Sequence, residues 1–263
     1  VPRGAKGTTS PNGNSAFLII ACVHHTVVTI TPSQVAKDPI NPNRTLTIGE
    51  SHTFVLDELD TLYFASPEDL SGSHVISDQP ITFISGHECG SVPSSRVQCN
   101  HLVEQIPPTA VWGKQFFISS ISLHPGGDIY KMVASSNNTA VNILCTNSKR
   151  EQKNDIDLLI PRAGATMNVS IGPADNCIIT AKSSILLVQF APLDSATIMV
   201  TIPATHQYLN THWFTTVYAG NVQFKHYMKI FVSHKDFNPS LITLDGGNMA
   251  AAWNDIQCRE GTV

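Results

Sequence analysis

The residues most suited to chemistry lie around two cysteines. Cys89 and Cys99 enclose a short segment rich in Gly, Pro and Ser, and His87 and His101 flank the pair symmetrically. Imidazole and carboxylate groups are zinc ligands, so these histidines with a nearby glutamate could form the metal site of a hydrolase. The pattern lacks the second histidine of a His-Glu-x-x-His motif, because Ser91 stands there. If the cysteines are bonded to each other they cannot bind metal as thiolates, and the histidines would instead hydrogen-bond the backbone around the loop.

A disulfide between Cys89 and Cys99 is the simplest interpretation of this segment. It would restrict the unfolded loop and stabilise the fold by roughly 2–3 kcal/mol. A stiff surface loop also loses little conformational freedom on binding, which makes it a candidate recognition edge. The alternative is a covalent staple with no ligand role. The predicted ligand-contacting residues are His87, Glu88, Arg96, His101 and Glu104.

The other four cysteines leave their pairing open. Cys145 follows a predicted strand and Cys177 begins another, which favours a cross-strand or inter-sheet disulfide. Cys22 and Cys258 are then left over, and a bond between them would tie the two ends of the chain together. A free Cys22, buried in an apolar strand, is the alternative. Six cysteines allow fifteen pairings, so connectivity does not follow from the sequence.

Three glycosylation sequons, together with the cysteines, favour the oxidising, extracellular side of the membrane. The predicted acceptor residues are Asn43, Asn137 and Asn168. The net charge of -4 and the absence of any Lys/Arg-rich run argue against nucleic-acid binding. No apolar stretch has the length of a membrane helix, so we predict no membrane insertion. No signal peptide is visible, and we expect a mature fragment.

Searches for catalytic patterns find nothing. The sequence contains no Gly-x-Ser-x-Gly motif, no P-loop and no Gly-x-Gly-x-x-Gly. Asp155 and Asp157 could contribute to a calcium site, but they lack the spacing of an EF-hand. We therefore predict that the chain is not an enzyme and carries no metal or other cofactor.

Short β-rich runs separated by Gly, Pro, Asn and Ser dominate the chain, whereas no long helical period is visible. Hydrophobic residues make up 42% of the sequence and charged residues only 14%, which is typical of a folded protein. The pattern predicts an all-β fold with few or no helices. The predicted strands include 17–22, 26–31, 45–48, 53–56, 81–84, 116–121, 130–134, 140–144, 185–190 and 229–232.

The chain also repeats itself at the length of one β-sandwich. Matching stretches are 17–30 with 130–143, 75–84 with 179–188, and 106–112 with 202–213. The first copy lacks the strand that 115–121 provides in the second, and Trp112 and Trp213 are both expected in packed cores. We predict tandem β-sandwich-like modules with an internal repeat. The predicted units are a tag remnant and N-terminal loop at 1–16, module one at 17–114, module two at 115–212, and a partial third repeat or closing cap at 213–263.

One stretch carries a family resemblance. It runs Ser85-Gly-His-Glu-Cys-Gly90, then Cys99-Asn-His-Leu-Val-Glu-Gln105, then Pro107-Pro108 and Trp112-Gly113. This resembles the amino-terminal domain of IgGFc-binding proteins, which are secreted and mucin-associated. Asn100 departs from the family pattern, which has Asp there. The resemblance implies an extracellular binding or adhesion module, and Fc itself carries over less well because similar domains occur in animals without IgG.

Three hypotheses follow from these patterns. The first is a rigid β-sandwich module that presents the disulfide-braced loop to an extracellular protein or glycoprotein, such as Fc, a mucin or a glycan-bearing surface protein. The second is the metal-dependent hydrolase centred on His87 and His101. The third is a structural spacer of a long secreted protein. The loop is absent from the second module, and such asymmetry on a repeated scaffold favours the first hypothesis.

Overall fold

The computed structural model describes residues 13–92, 99–121, 124–147, 152–193, 196–216, 220, 228–232 and 237–248. Every strand pair in these ranges is antiparallel, and the helices among them are single 3-10 turns of three residues. The predicted all-β fold is therefore confirmed.

The strands β1 to β9 form two main sheets, which we call the first module. Sheet I has the order β6-β1-β8-β9, sheet II has the order β5-β2-β7, and β3 and β4 form a small separate ribbon. The strands are β1 (Ser15–Ala21), β2 (Thr26–Thr31), β3 (Ala36–Lys37), β4 (Thr45–Leu46), β5 (His52–Leu56), β6 (Thr61–Ser66), β7 (His74–Ser77), β8 (Ile81–Gly90) and β9 (Asn100–Gln105).

The core of the first module lies between these sheets. Phe17, Ile19 and Ala21 alternate along β1 and are all buried, as the two-residue period of a strand requires. Phe17 stacks on Phe64 of β6 with ring centroids 4.7 Å apart, and Val28 of β2 closes the core from sheet II. Each fully buried side chain of this size contributes about 1.5–3 kcal/mol of hydrophobic stabilisation.

The strands β10 to β16 form the second module, which is built around one long strand, β15. The N-terminal half of β15 pairs with β12 and β10, and its C-terminal half pairs with β11 and β16. The two arms of this bent sheet enclose a core that includes Tyr130, Ile143 and Ile179. The strands are β10 (Gly113–Ser119), β11 (Asp128–Ala134), β12 (Thr139–Thr146), β13 (Gln152–Ile160), β14 (Thr166–Ile171), β15 (Asn176–Pro192) and β16 (Thr197–Thr201). A later ribbon joins β17 (Thr243–Leu244) to β18 (Gly247–Asn248).

The strand orders of the two modules correspond. Sheet I matches β14-β11-β15-β16, and sheet II matches β13-β12-β15. The modules differ in β10. In the second module β10 pairs with the N-terminal half of β15 and adds a fourth strand on that side. In the first module the corresponding strand, β7, pairs with β2 alone among the described strands. Sheet II therefore has three strands against the four of sheet I, and β9 has no strand of sheet II opposite it.

The second module covers this uncovered inner face of β9. Leu102 pairs with His87 of β8, and His87 pairs with Ser15 of β1. Ser15 lies two residues before the core residue Phe17, so all three side chains lie on the core side of sheet I. Leu102 packs against Phe190 of β15 and Met199 of β16 in an apolar cluster. The two modules thus share a third core, and β16 and β9 lie face to face.

A buried ion pair and a close backbone approach complete the junction. Lys131 of β11 is only 3% exposed, and its Nζ lies 2.7 Å from the carboxylate of Asp69 and 2.9 Å from the Ser71 hydroxyl. Gly72 has a φ of +86°, and a side chain there would collide with the carbonyl oxygen of Gly164. Both contacts join the β6–β7 loop of the first module to the second module.

Two expectations about the C-terminal region were wrong. Residues 229–232 form no strand; Lys229 donates to the Ser119 hydroxyl at 2.8 Å, and Phe231 stacks on Phe117 of β10 at 6.1 Å. Trp112 packs at the junction, and its indole N–H donates to the Pro107 carbonyl at 2.9 Å. Trp213 is instead 97% exposed, so its expected place in a packed core was wrong.

Candidate binding site at the disulfide-closed hairpin

The candidate site is the end of the β8–β9 hairpin. In this hairpin His87 lies opposite Leu102, and the register shifts before Gly90 and Asn100 pair. The predicted disulfide between Cys89 and Cys99 is present, with a Cα–Cα distance of 5.1 Å. The disulfide closes the hairpin where the ladder becomes irregular. The segment 93–98, which includes the predicted contact residue Arg96, lies outside the described residues.

Glu88 is the best-defined polar group of the site. It is exposed, and its carboxylate accepts hydrogen bonds from the Tyr63 hydroxyl at 2.7 Å and from the backbone and side-chain N–H groups of Asn14 at 2.9 and 3.0 Å. The bond from Tyr63, aided by those from Asn14, lowers the pKa of Glu88 below its ordinary value. Burial and the Glu88 carboxylate raise the pKa of Tyr63 to about 12. The site therefore presents a fixed negative charge at neutral pH.

His87 supports the hairpin rather than facing solvent. Its Nδ1 accepts the backbone N–H of Cys89 at 3.1 Å, which confirms the hydrogen-bonding interpretation for this histidine. Partial burial lowers the pKa of His87, so the ring is neutral at physiological pH. His101 lies on β9 and is exposed.

Glu104 lies apart from these groups. It shares the inner face of β9 with Leu102 and is half-buried against β16, where the backbone N–H of Thr201 donates to it. Burial at this junction raises the pKa of Glu104. The structure thus places Glu88 at the exposed end of the hairpin and Glu104 at the module junction.

The loop end of the hairpin is also fixed to the second module, by Thr197. The Asn100 side chain donates to the Thr197 carbonyl at 3.2 Å, and the Val92 N–H donates to the Thr197 hydroxyl at 3.2 Å. These contacts, like those of Tyr63 and Asn14 with Glu88, were not foreseen from the sequence. The one signal in the sequence is the alternation of β6, which places the Tyr63 side chain on the outer face of the sheet.

The described residues contain no group of three His, Cys, Asp or Glu side chains placed to hold a metal ion. The pair Asp155 and Asp157, considered above for calcium, is bridged instead by Asn142, whose side-chain N–H groups donate to the two carboxylates at 2.7 and 2.9 Å. An amide donor therefore already occupies the space between these two charges.

Of the remaining four cysteines, two form a disulfide, one is a free thiol and one lies outside the described residues. Cys145 and Cys177 are buried register partners on β12 and β15 with a Cα–Cα distance of 4.1 Å, and their predicted disulfide is present. Cys22 is a free thiol directly after β1, as in the second of the two alternatives, but it is exposed rather than buried. Cys258, its predicted partner, lies outside the described residues.

The three sequon asparagines are all exposed. Asn43 and Asn137 lie in turns, and Asn168 lies on β14. The Asn137 side-chain oxygen accepts the Ala163 N–H at 2.9 Å, which orders that turn. Glycosylation of all three stays a prediction. No helix in the described ranges is long and apolar enough to cross a membrane.

Comparisons with known proteins agree on one family. The family model described as IgGFc binding protein matches residues 4–261, a range that begins inside the segment predicted to be a tag remnant. A human protein named IgGFc-binding protein is 32% identical over 87 residues, which are 33% of this chain and 2% of the human protein. No solved structure is significantly similar to the chain. Because the family model spans nearly the whole sequence, the chain belongs to the IgGFc-binding protein family.

Proposed function

We propose that this chain is a secreted recognition module that binds an extracellular protein or glycoprotein through the disulfide-closed hairpin, without catalysis. The observation that carries the proposal is the Glu88 carboxylate, which is exposed yet held by three hydrogen bonds and flanked by a disulfide. A charged group fixed before the partner arrives loses little entropy on binding, and charge on an exposed edge steers encounter.

The scaffold supports the same role. The hairpin is braced at its loop end both by Cys89–Cys99 and by Thr197 of the second module, so two packed sandwiches carry the loop. Recognition residues concentrate on loops held by a rigid scaffold. Among the members of the predicted contact set that the structure describes, Glu88 and His101 are exposed, and His87 supports the hairpin. Of the described residues in the set, Glu104 is the least suited to contact a ligand, because it is half-buried at the module junction.

The printed name of the human relative suggests immunoglobulin Fc as one ligand to test. Mucins and glycan-bearing surface proteins are the others, because an extracellular family member with exposed sequons works among such molecules. The two disulfides of the described residues are typical of oxidising compartments and support secretion.

A surface plasmon resonance screen tests the proposal. The glycosylated chain is immobilised and exposed to IgG Fc, purified mucins and a glycan panel, each with and without EDTA. We expect saturable binding that Glu88→Ala weakens at least tenfold. Glu58→Ala, which removes an exposed carboxylate elsewhere on the first module, is the matched control and should bind like the parent.

The outcomes separate the hypotheses. Binding that both variants retain would move recognition away from the hairpin. An absence of binding to the whole panel would favour the structural spacer. Binding that EDTA abolishes would point to a metal-dependent site and revive the second hypothesis.

A further inference from the structure

The Tyr63 side chain crosses the outer face of sheet I, which is the face turned away from the core. Tyr63 of β6 is in register with Leu18 of β1, and its hydroxyl reaches the carboxylate of Glu88 on β8, two strands away. Ala16 lies between them on the same face and is only 7% exposed. A phenol ring lying over Ala16 accounts for that burial. The opposite face of the ring is then open to solvent, in keeping with the 48% exposure of Tyr63.

Glu88 carries a charge that its hydrogen bonds do not neutralise. Its three donors, the Tyr63 hydroxyl and the two N–H groups of Asn14, are uncharged. The ion pairs of the described residues involve other carboxylates. An ionised carboxylate accepts about four hydrogen bonds. Asn14 uses Oε2 of Glu88 twice and Tyr63 uses Oε1 once, so Oε1 can accept one further donor.

An arginine side chain fits these two groups. Its guanidinium is planar and always charged, and it stacks on aromatic rings, whose faces attract cations. A guanidinium stacked on the open face of Tyr63 lies beside Glu88, because the phenol hydroxyl and the carboxylate are 2.7 Å apart. It can then donate one N–H to Oε1 of Glu88. A lysine ammonium would supply the charge without the flat stacking surface, and a neutral side chain would supply no charge.

The residues around the ring suit the aliphatic part of an arginine side chain. Leu18 and Ile84 form one register row with Tyr63, and Val103 of β9 is 52% exposed on the same face. The methylene groups of long cationic side chains cover apolar surface of this kind while the charged head stays with polar groups. None of the four strands of sheet I contains Lys or Arg, so the sheet itself places no permanent positive charge against an incoming guanidinium.

We propose that the extracellular protein bound by this chain presents an arginine side chain, which stacks on Tyr63 and donates to Glu88. This contact rests on the recognition role proposed for the hairpin, and it specifies the group that the partner must offer. Charge complementarity between the arginine and the fixed carboxylate selects such partners and steers their approach.

An NMR titration of the whole chain at low salt tests the contact without any partner protein. The probe is N-acetylarginine amide, compared with N-acetyllysine amide and with the neutral isostere N-acetylcitrulline amide. We expect saturable shifts centred on Tyr63 and Glu88, with binding of the arginine probe in the millimolar range. The lysine probe should bind more weakly, and the citrulline probe should give no saturable shift.

Three variants assign the contact to its two groups. Glu88→Gln keeps the shape of the side chain and should weaken binding of the arginine probe by about threefold or more, the size expected for an exposed ion pair. Tyr63→Leu should abolish the preference for arginine over lysine, because it removes the stacking surface. Glu50→Gln removes an exposed carboxylate before β5, is the matched control for net charge, and should bind like the parent. Circular dichroism checks that each variant is folded.

Three results would overturn the arginine contact. They are the absence of saturable shifts at Tyr63 and Glu88, equal binding of the arginine and lysine probes by the parent, and equal binding by Glu88→Gln and Glu50→Gln. These failures are distinct from failure of the recognition role. A partner whose binding depends on Glu88, found together with no probe binding, would retain that role and reject arginine. Probe binding without any partner in the screen would do the reverse.

Discussion

Removing the carboxylate of Asp69 should destabilise the whole chain, because this group neutralises a buried charge at the module junction. The Lys131 ammonium is almost completely buried, and its Nζ lies 2.7 Å from Asp69. Burial opposes ionisation of Asp69, but nearby positive charge, including Lys131, and a hydrogen bond from Ser71 outweigh it and lower the pKa from 3.8 to about 2. The substitution Asp69→Asn keeps the shape of the side chain and removes only its charge.

The magnitude follows from the buried pair. The Lys131 ammonium, by its charge and its hydrogen bond, favours the ionised carboxylate of Asp69. The Asp69 side chain is 19% exposed, so water partly compensates for its loss. Breaking a buried ion pair from one side typically costs about 3–5 kcal/mol. We therefore expect Asp69→Asn to lower the free energy of unfolding by about 2–4 kcal/mol at neutral pH. Lys131→Met should cost less, because it fills the space with apolar atoms and leaves a more accessible carboxylate.

The effect should also depend on pH in one direction. Because the folded pKa of Asp69 lies below the unfolded value, its contribution is complete above about pH 4 and is lost as the pH falls towards about 2. The stability difference between the parent and Asp69→Asn should narrow over this window. Urea unfolding at several pH values, followed by tryptophan fluorescence and circular dichroism, measures it. A difference below about 0.5 kcal/mol at pH 7, the size of an ordinary surface substitution, would refute the reasoning. So would a difference that does not change in acid.

Three further predictions concern the junction, the hairpin and the surface. Gly72→Ala should lower the unfolding midpoint in urea far more than Gly49→Ala, because both glycines have positive φ but only Gly72 abuts another backbone; equal losses would contradict this. Glu88→Gln should move the pKa of Tyr63 from about 12 towards 10, since it removes the negative acceptor, and ultraviolet titration of the phenolate checks this against the parent. Asn168→Gln should remove one glycan from protein made in a eukaryotic secretory host, seen as a smaller mobility shift on peptide-N-glycosidase treatment; an unchanged shift would show that this sequon is unused.

Local patterns in the sequence predicted most of the strands and favoured the two disulfides that the structure contains. Alternation of Phe17, Ile19 and Ala21 with outward residues is a signal that survives folding, because the strand period puts every second side chain in the core. The Cys145–Cys177 disulfide could also be predicted from the sequence, because each cysteine adjoins a predicted strand of the same module. The run at 229–232 was misjudged because β-propensity does not provide a pairing partner.

Only the tertiary structure decided how the modules meet and how the candidate site is built. Nothing near Lys131 in the sequence predicts that its counter-ion is Asp69. The two residues meet because sheet II has only three described strands, which leaves space for the second module to pack beneath β9. The same holds for Glu88, whose charge is fixed by Tyr63 from a different strand. Local propensity acts over a few residues, whereas these contacts join chain segments that are brought together only when the sheets pack.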